Sequence, residues 1–391
     1  MKIKQYHWHY FFGGIALCLL LVQLFSGVVL ALFYSPHLNE AYASVQYLYN
    51  ELSGIAWARD SHRWAALFLL VAVILHLIRS LLRKDFLNRE RKTLWLTGVL
   101  LFLPLLSFLI TGMILPWEWR GYWFMEMAPN YVGEIPLVGP YLSGFLLDAF
   151  TLNRAFVAHV VVLPFVSLVL IEIHALSRLR KRTGGLSLYL IEHGIFAAPF
   201  LVAVAVLAYF LPMPSQDPAI IPMPLEGEGI PTAEWFVLIF YTPYLYFKGF
   251  MATLFGFYLP LAIFLALAAL PYFFRARAAR ESSAAGQGTR SVKDRIASMR
   301  VLAPLHKRLG SRAVTKAVGA LSVFLAAMAF FGPFYAVSYP SPTMGCNSCH
   351  NTSAGIRMGL PPATYKDRVL NPNLKDNTFM VEHWFYPQVV W

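Results

Sequence analysis

The sequence predicts an all-α membrane protein of seven spans with a short extracytoplasmic tail, and three observations predict it. The chain is 58% hydrophobic and only 13% charged, with a mean hydropathy of +0.55, far from a soluble domain. Apolar runs near the ~20 residues that cross a bilayer recur along it. Its net charge of +12 is unevenly placed: residues 275–316 hold 11 Lys/Arg against Glu281 and Asp294.

Spans are expected at about residues 10–34, 60–82, 94–116, 153–175, 193–213, 250–273 and 314–338. The first is too long for a signal peptide and lacks a small-residue cleavage site, so it is expected to remain as a span. Basic clusters (Arg79, Arg83, Lys84, Arg89, Arg91 and Lys92; Arg178, Arg180, Lys181 and Arg182; residues 275–316) follow spans two, four and six. The intervening loops carry Glu40, Glu51, Glu118, Glu126, Glu134, Asp148, Asp217, Glu226, Glu228 and Glu234 instead. Basic loops stay in the cytoplasm. The N-terminus is therefore cytoplasmic and the C-terminus lies outside, in a multi-pass protein of a bacterial-type inner membrane. That distribution argues for membrane lipids and against a nucleic-acid partner. Residues 276–313 read as a basic cytoplasmic linker, suited to anionic lipid or another subunit.

Two spans carry paired histidines. His62 and His76 lie in SHRWAALFLLVAVILHLIRS, and His159 and His174 in RAFVAHVVVLPFVSLVLIEIHALSR. Spacings of 14 and 15 residues bracket four α-helical turns (~14.4 residues), so each pair falls on roughly one helix face, about 21 Å apart along the axis. Ionisable side chains at membrane depth mark functional paths. Two helices offering imidazoles at two matched depths would clamp two stacked haems. Gly13 and Gly27 in span one, and Gly98 and Gly112 in span three, repeat the 14-residue spacing. Glycine weakens a helix but lets a flat macrocycle approach its backbone.

The tail carries Cys346-Asn347-Ser348-Cys349-His350, the spacing for covalent attachment of a c-type haem through Cys346 and Cys349 with His350 as axial ligand. Such attachment takes place on the outer side, where the charge distribution already puts this tail. Met358, Met380 and His383 are candidates for the sixth ligand, with Met380 and His383 three apart in NTFMVEHWFYP.

SHRW with HLIRS downstream, ILPWEWRGYW after span three and NRAFVAHVVVLPF opening span four resemble the diheme cytochrome b of quinol-oxidising bc and bf complexes, over almost all of residues 5–275. GGIALCLLLVQLFSG, EAYASVQYLYNE and the 15-residue second histidine spacing are closer to the bf branch. DPAIIPMPLEGEGIPTAEWF resembles the start of the separate bf subunit IV, fused here onto the four-helix part.

The resemblance implies a four-helix diheme bundle (residues 1–185), a subunit-IV-like part (186–275), the linker (276–313), a last span (314–338) and a haem c tail (339–391). It implies His62 and His159 on an outer haem b, His76 and His174 on an inner one, and Arg63, Arg79 and Arg154 near haem propionates. The family's outer quinol site lies near a Pro-Glu-Trp-Tyr motif, read here as Ala233-Glu234-Trp235-Phe236. Glu234 is then the base that takes a proton from quinol, with Pro116, Trp117 and Trp235 walling the pocket. Phe11 stands where the bf branch has the cysteine that binds an extra haem, so none is expected there. At the inner quinone site Glu172, Glu192 and His193 have suitable depth.

The expected function is that of a quinol:cytochrome c (or other high-potential acceptor) oxidoreductase subunit that passes electrons across the membrane. Expected partners are the quinone pool, a separate iron–sulfur protein, cytochrome c subunits and a second copy of the chain. The rival reading is a membrane-anchor cytochrome b conducting electrons linearly between the quinone pool and a dehydrogenase or multihaem cytochrome.

Overall fold

The computed structural model describes residues 11–88, 91–117, 128–129, 131–148, 151–181, 185–212, 236, 240, 243, 247 and 249–283. Regular structure among them is entirely helical. Six helices are long and apolar enough to cross a membrane: α1 (Phe12–Ala31), α3 (Ser53–Leu82), α4 (Lys92–Ile114), α6 (Leu152–Arg180), α7 (Gly185–Phe210) and α8 (Gly249–Phe273). Two shorter helices, α2 (Ala41–Glu51) and α5 (Gly139–Asp148), lie between spans. The expected span at 314–338, the linker and the tail lie outside the described residues.

The helix ends follow local chemistry. The α1 run stops just before Tyr34-Ser35-Pro36, where proline forbids continuation. α3 ends at Leu82, and Lys84 then takes φ +57°, the left-handed conformation that commonly closes a helix. Thr151 caps α6, its hydroxyl accepting from the Arg154 backbone N–H at 3.4 Å.

Three spans differ in extent from the sequence expectation. α3 begins at Ser53 rather than near 60, α7 at Gly185 rather than near 193, and α6 runs on to Arg180 rather than 175. Hydropathy reports only the part of a helix that lipid touches, and these helices project beyond it. The polar start of α3 is used for packing: Asp60 is 2% exposed and accepts from Tyr49 Oη on α2 at 2.6 Å.

α1, α3 and α7 share one core of Ile15, Leu19, Ala65, Leu69, Ala72, Ala197 and Val204. Indole N–H groups on α3 tie it to α7: Trp57 donates to Ala205 O at 3.2 Å and Trp64 to Leu211 O at 3.1 Å. On the other side α4 packs along α6 and α8, with Trp95 Nε1 donating to Leu267 O at 2.7 Å. Phe25, Val28, Val161, Phe165, Leu168, Val202 and Tyr209 point outward, as lipid-facing side chains do. Between the two halves, α3 and α6 do not pack closely along their length.

Leu19 is fully buried, whereas Leu24 on the same helix is 49% exposed. Leu19→Ala should therefore cost about 2 kcal/mol or more of stability by opening a cavity, and Leu24→Ala almost none. Thermal unfolding of the detergent-solubilised protein, followed by helical circular dichroism, checks the contrast.

Candidate haem-binding site

The gap between α3 and α6 is bridged by the four histidines. His62 faces His159 with ring centres 6.3 Å apart, and His76 faces His174 at 6.2 Å. An imidazole nitrogen bonds a first-row metal such as zinc at about 2.0 Å, and the ring centre lies about 1.1 Å behind it. Two imidazoles on opposite sides of one ion therefore have centres about 6.2 Å apart. The observed spacing is that of two axial ligands of one metal, at each of two depths.

α6 absorbs its extra residue of histidine spacing in a way the sequence did not foresee. His159 lies in a π-helical turn, Ala158–Val162, and His174 in a second, Glu172–Leu176. A π turn takes up more residues than an α turn and often sits at functional positions. A 15-residue interval on α6 thus meets a 14-residue interval on α3 at both levels.

Hydrogen bonds fix how three of the rings present themselves. Ser26 Oγ on α1 donates to Val22 O at 2.6 Å, so its lone pairs face His62 Nδ1 at 2.8 Å. Thr111 Oγ1 on α4 donates to Ser107 O at 2.7 Å and faces His159 Nδ1 at 2.8 Å. His174 Nδ1 lies 2.9 Å from Leu94 O and 3.3 Å from Thr97 Oγ1. In each case Nδ1 must carry the proton and donate, which leaves the Nε2 lone pair for a metal. Sequence reasoning missed Ser26, Thr97 and Thr111; the signal was a hydroxyl residue directly before three of the four singled-out glycines.

Those glycines each lie against one imidazole. A Cβ added at Gly13, Gly27, Gly98 or Gly112 would meet Cε1 of His76, His62, His174 or His159 at 3.0, 3.2, 2.8 or 3.3 Å. The missing side chains make room for the rings at the two levels, as the repeated spacing suggested.

Among the described residues no group of three or more His, Cys, Asp or Glu side chains gathers to hold a bare metal ion. Opposed pairs suit a metal that brings its own equatorial donors, and haem iron does. Helices α3 and α6 standing apart, two clear axial positions and glycine-faced walls all fit such a group.

The other expected residues fall as follows. Arg63 adjoins His62, Arg79 follows His76 by one turn, and Arg154 opens α6 before His159. Pro116 ends α4, and Trp117 is 1% exposed with φ +52°, a strained conformation for an aromatic residue. Tyr34 Oη holds that corner by donating to Leu115 O at 2.5 Å. Burial pushes the Tyr34 hydroxyl above its ordinary value, so it stays a donor.

At the other end Glu172 is ion-paired with Arg180. His193 is buried, donates from Nδ1 to Tyr189 O at 2.8 Å, and stacks on Tyr189 with ring centres 3.7 Å apart. It also lies against Phe11 and Gly14 of α1, whereas Glu192 beside it is half-buried. Glu234, Trp235, Cys346, Cys349, His350, Met358, Met380 and His383 lie outside the described residues.

A membrane bundle with opposed imidazoles at two depths defines a haem protein of membrane electron transport. Comparison with known proteins agrees: residues 2–183 match the family described as Cytochrome b/b6/petB. Cytochrome b6 of Mastigocladus laminosus is 37% identical over 181 residues, 45% of this chain and 84% of that one. Cytochrome b6 of Gloeobacter violaceus is 37% identical with the same coverage. A solved chain of a hyperthermophilic respiratory Complex III has the same fold at a TM-score of 0.52 and 23% identity, covering 69% of this chain and 76% of that one. The chain belongs to the cytochrome b/b6 family, whose members bind two haems b.

Gly98→Val should push His174 out of line and cost the protein one of its two b haems. Gly54→Val, at a position with nothing within 4 Å, should keep both. Pyridine haemochrome quantification of the purified variants distinguishes the two results.

Proposed function

We propose that this chain is the cytochrome b component of a quinol-oxidising complex of bc/bf type, with an outer-side quinol site and a covalently bound haem c on its tail. The observation that carries the reading is the pair of opposed imidazole couples at two depths of one membrane bundle. Haems b bound there would supply one-electron transfer across the membrane. His62 and His159 would hold the outer group and His76 and His174 the inner one. Arg63 and Arg154 at the outer level, and Arg79 at the inner, would balance propionate charge. The surrounding apolar helices exclude water from both.

At the outer surface the buried, strained Trp117 and Pro116, with Trp235, wall the quinol pocket, and Glu234 accepts a proton from the quinol hydroxyl. Oxidation of quinol to quinone releases two electrons and two protons. One electron leaves for a high-potential acceptor through a partner iron–sulfur protein, since no iron–sulfur ligand set occurs in the sequence. The second would pass inward to reduce quinone at the inner site, and protons released outside and taken up inside would contribute to the proton-motive force. The coverage of 69% by the Complex III chain exceeds the 45% matched by the cytochrome b6 relatives, which supports a fused subunit-IV-like part beyond residue 185. Cys346, Cys349 and His350 would hold haem c, with Met380 or His383 as a further iron donor, and that group would supply electron transfer to a soluble or multihaem cytochrome. A homodimer in the inner membrane, N-terminus inside and tail outside, completes the reading.

Adding an oxidant to the quinol-reduced complex should raise b-haem reduction, because drawing one electron outward forces the other inward. Draining of the b and c bands together would instead mean linear conduction. Glu234→Gln should slow quinol oxidation at least about a hundredfold with all haem bands intact. Wild-type turnover in that variant would remove Glu234 from the role.

A further inference from the structure

Tyr34 lies just beyond α1 and is held from three directions. Its backbone N–H donates to Leu30 O at 3.1 Å, and its hydroxyl donates to Leu115 O at 2.5 Å. Its ring lies against that of Phe156, with centres 5.5 Å apart. The end of α1, the end of α4 and the first turns of α6 meet on this side chain.

The contact with α4 answers a local need. The last carbonyls of a helix have no partner within it, and one left unpaired away from water is costly. α4 ends at Ile114, so Leu115 O is such a carbonyl, and the Tyr34 hydroxyl supplies its donor from 81 residues away. The chain then turns at Pro116 and Trp117, whose backbone N–H donates to Ile114 O at 3.0 Å. Trp117 is buried at φ +52°. A large side chain keeps that conformation only where its surroundings over-determine it. The pinned carbonyl two residues earlier is one such restraint.

The same turn of α4 serves His159. Leu115 N–H donates to Thr111 O at 3.2 Å, and Thr111 Oγ1 faces His159 Nδ1 at 2.8 Å. On α6, Phe156 precedes His159 by three residues, a spacing that makes neighbours on a helix surface. Tyr34 thus touches both helices that set the His159 ring, and on α4 it does so at the turn leading into Trp117.

We propose that Tyr34 is a positioning residue for quinol oxidation, holding the Pro116-Trp117 corner in fixed register with His159. The inference rests on the outer quinol site proposed above, of which that corner forms a wall. Tyr34 acts through the corner and not on the reacting atoms. Without its hydroxyl, only a fraction of molecules hold the corner in the binding shape. Apparent affinity falls by that fraction, while molecules that have bound quinol turn over as before. One hydrogen bond to a backbone carbonyl corresponds to about tenfold in such an equilibrium.

The test is steady-state oxidation of duroquinol by the full complex in lipid nanodiscs, with cytochrome c as oxidant. Tyr34→Phe keeps the ring against Phe156 and removes the hydroxyl. It should raise KM for duroquinol about tenfold, leave kcat within about twofold and retain both b haems. A wild-type KM in the assembled variant would overturn the inference. So would a loss confined to kcat, or a fall in haem content with KM unmoved, which marks a merely structural role. If Tyr34→Phe fails to assemble, Phe156→Leu decides: it frees the Tyr34 ring and should raise KM about threefold, and an unmoved KM would overturn the inference. Oxidant-induced b-haem reduction in the wild type keeps the outer-site reading in each of these cases; its absence would overturn that reading instead.

Discussion

An imidazole inside a bilayer must satisfy two nitrogens without water, and this bundle is arranged around that demand. One nitrogen of His62, of His159 and of His174 is committed to an oxygen on the neighbouring helix. The rings of α3 and α6 then face each other across a gap of 6.2–6.3 Å between centres. Buried polar groups left unpaired are costly, so the hydroxyls of Ser26 and Thr111, the Leu94 carbonyl and the glycines beside them are part of the site. α1 and α4 brace the histidine helices more than they enclose space, and the close α1–α3 and α4–α6 packing follows from it.

Much of this was legible in the sequence because it is periodic. Two histidine intervals and two glycine intervals near four turns indicate helices, faces and depths without any knowledge of the fold. Which glycine meets which histidine is a tertiary fact, and it came only with the packing of α1 on α3 and of α4 on α6. The π turns at Ala158–Val162 and Glu172–Leu176 leave no mark in hydropathy, yet they reconcile a 15-residue interval with a 14-residue one. The hydroxyl–glycine pairs stood in plain view. They carry little signal alone because a serine or threonine inside an apolar run is ordinarily satisfied by its own helix, as Ser26 also is.

The two ends of the bundle differ in character. At the end of the bundle near His62 and His159 polar anchors recur: Asp60 with Tyr49, Tyr34 with the Leu115 carbonyl, and a tryptophan locked at positive φ. At the opposite end aromatic rings gather around His193, with Phe11 and Tyr189 against it and Phe196 stacked on Phe11, and Glu172 pairs with Arg180. An apolar surround weakens hydrogen bonding and favours the less charged state of whatever it encloses.

The central claim is that four helix-borne histidines hold two haems b within this one chain. Low-temperature electron paramagnetic resonance on the oxidised protein, combined with haem quantification for His62→Leu and His76→Leu, tests it most directly. The account predicts two low-spin bis-histidine b signals in the wild type, with a different one lost in each variant and the other retained. A wild-type protein with a single b signal, or variants that keep both, would contradict it.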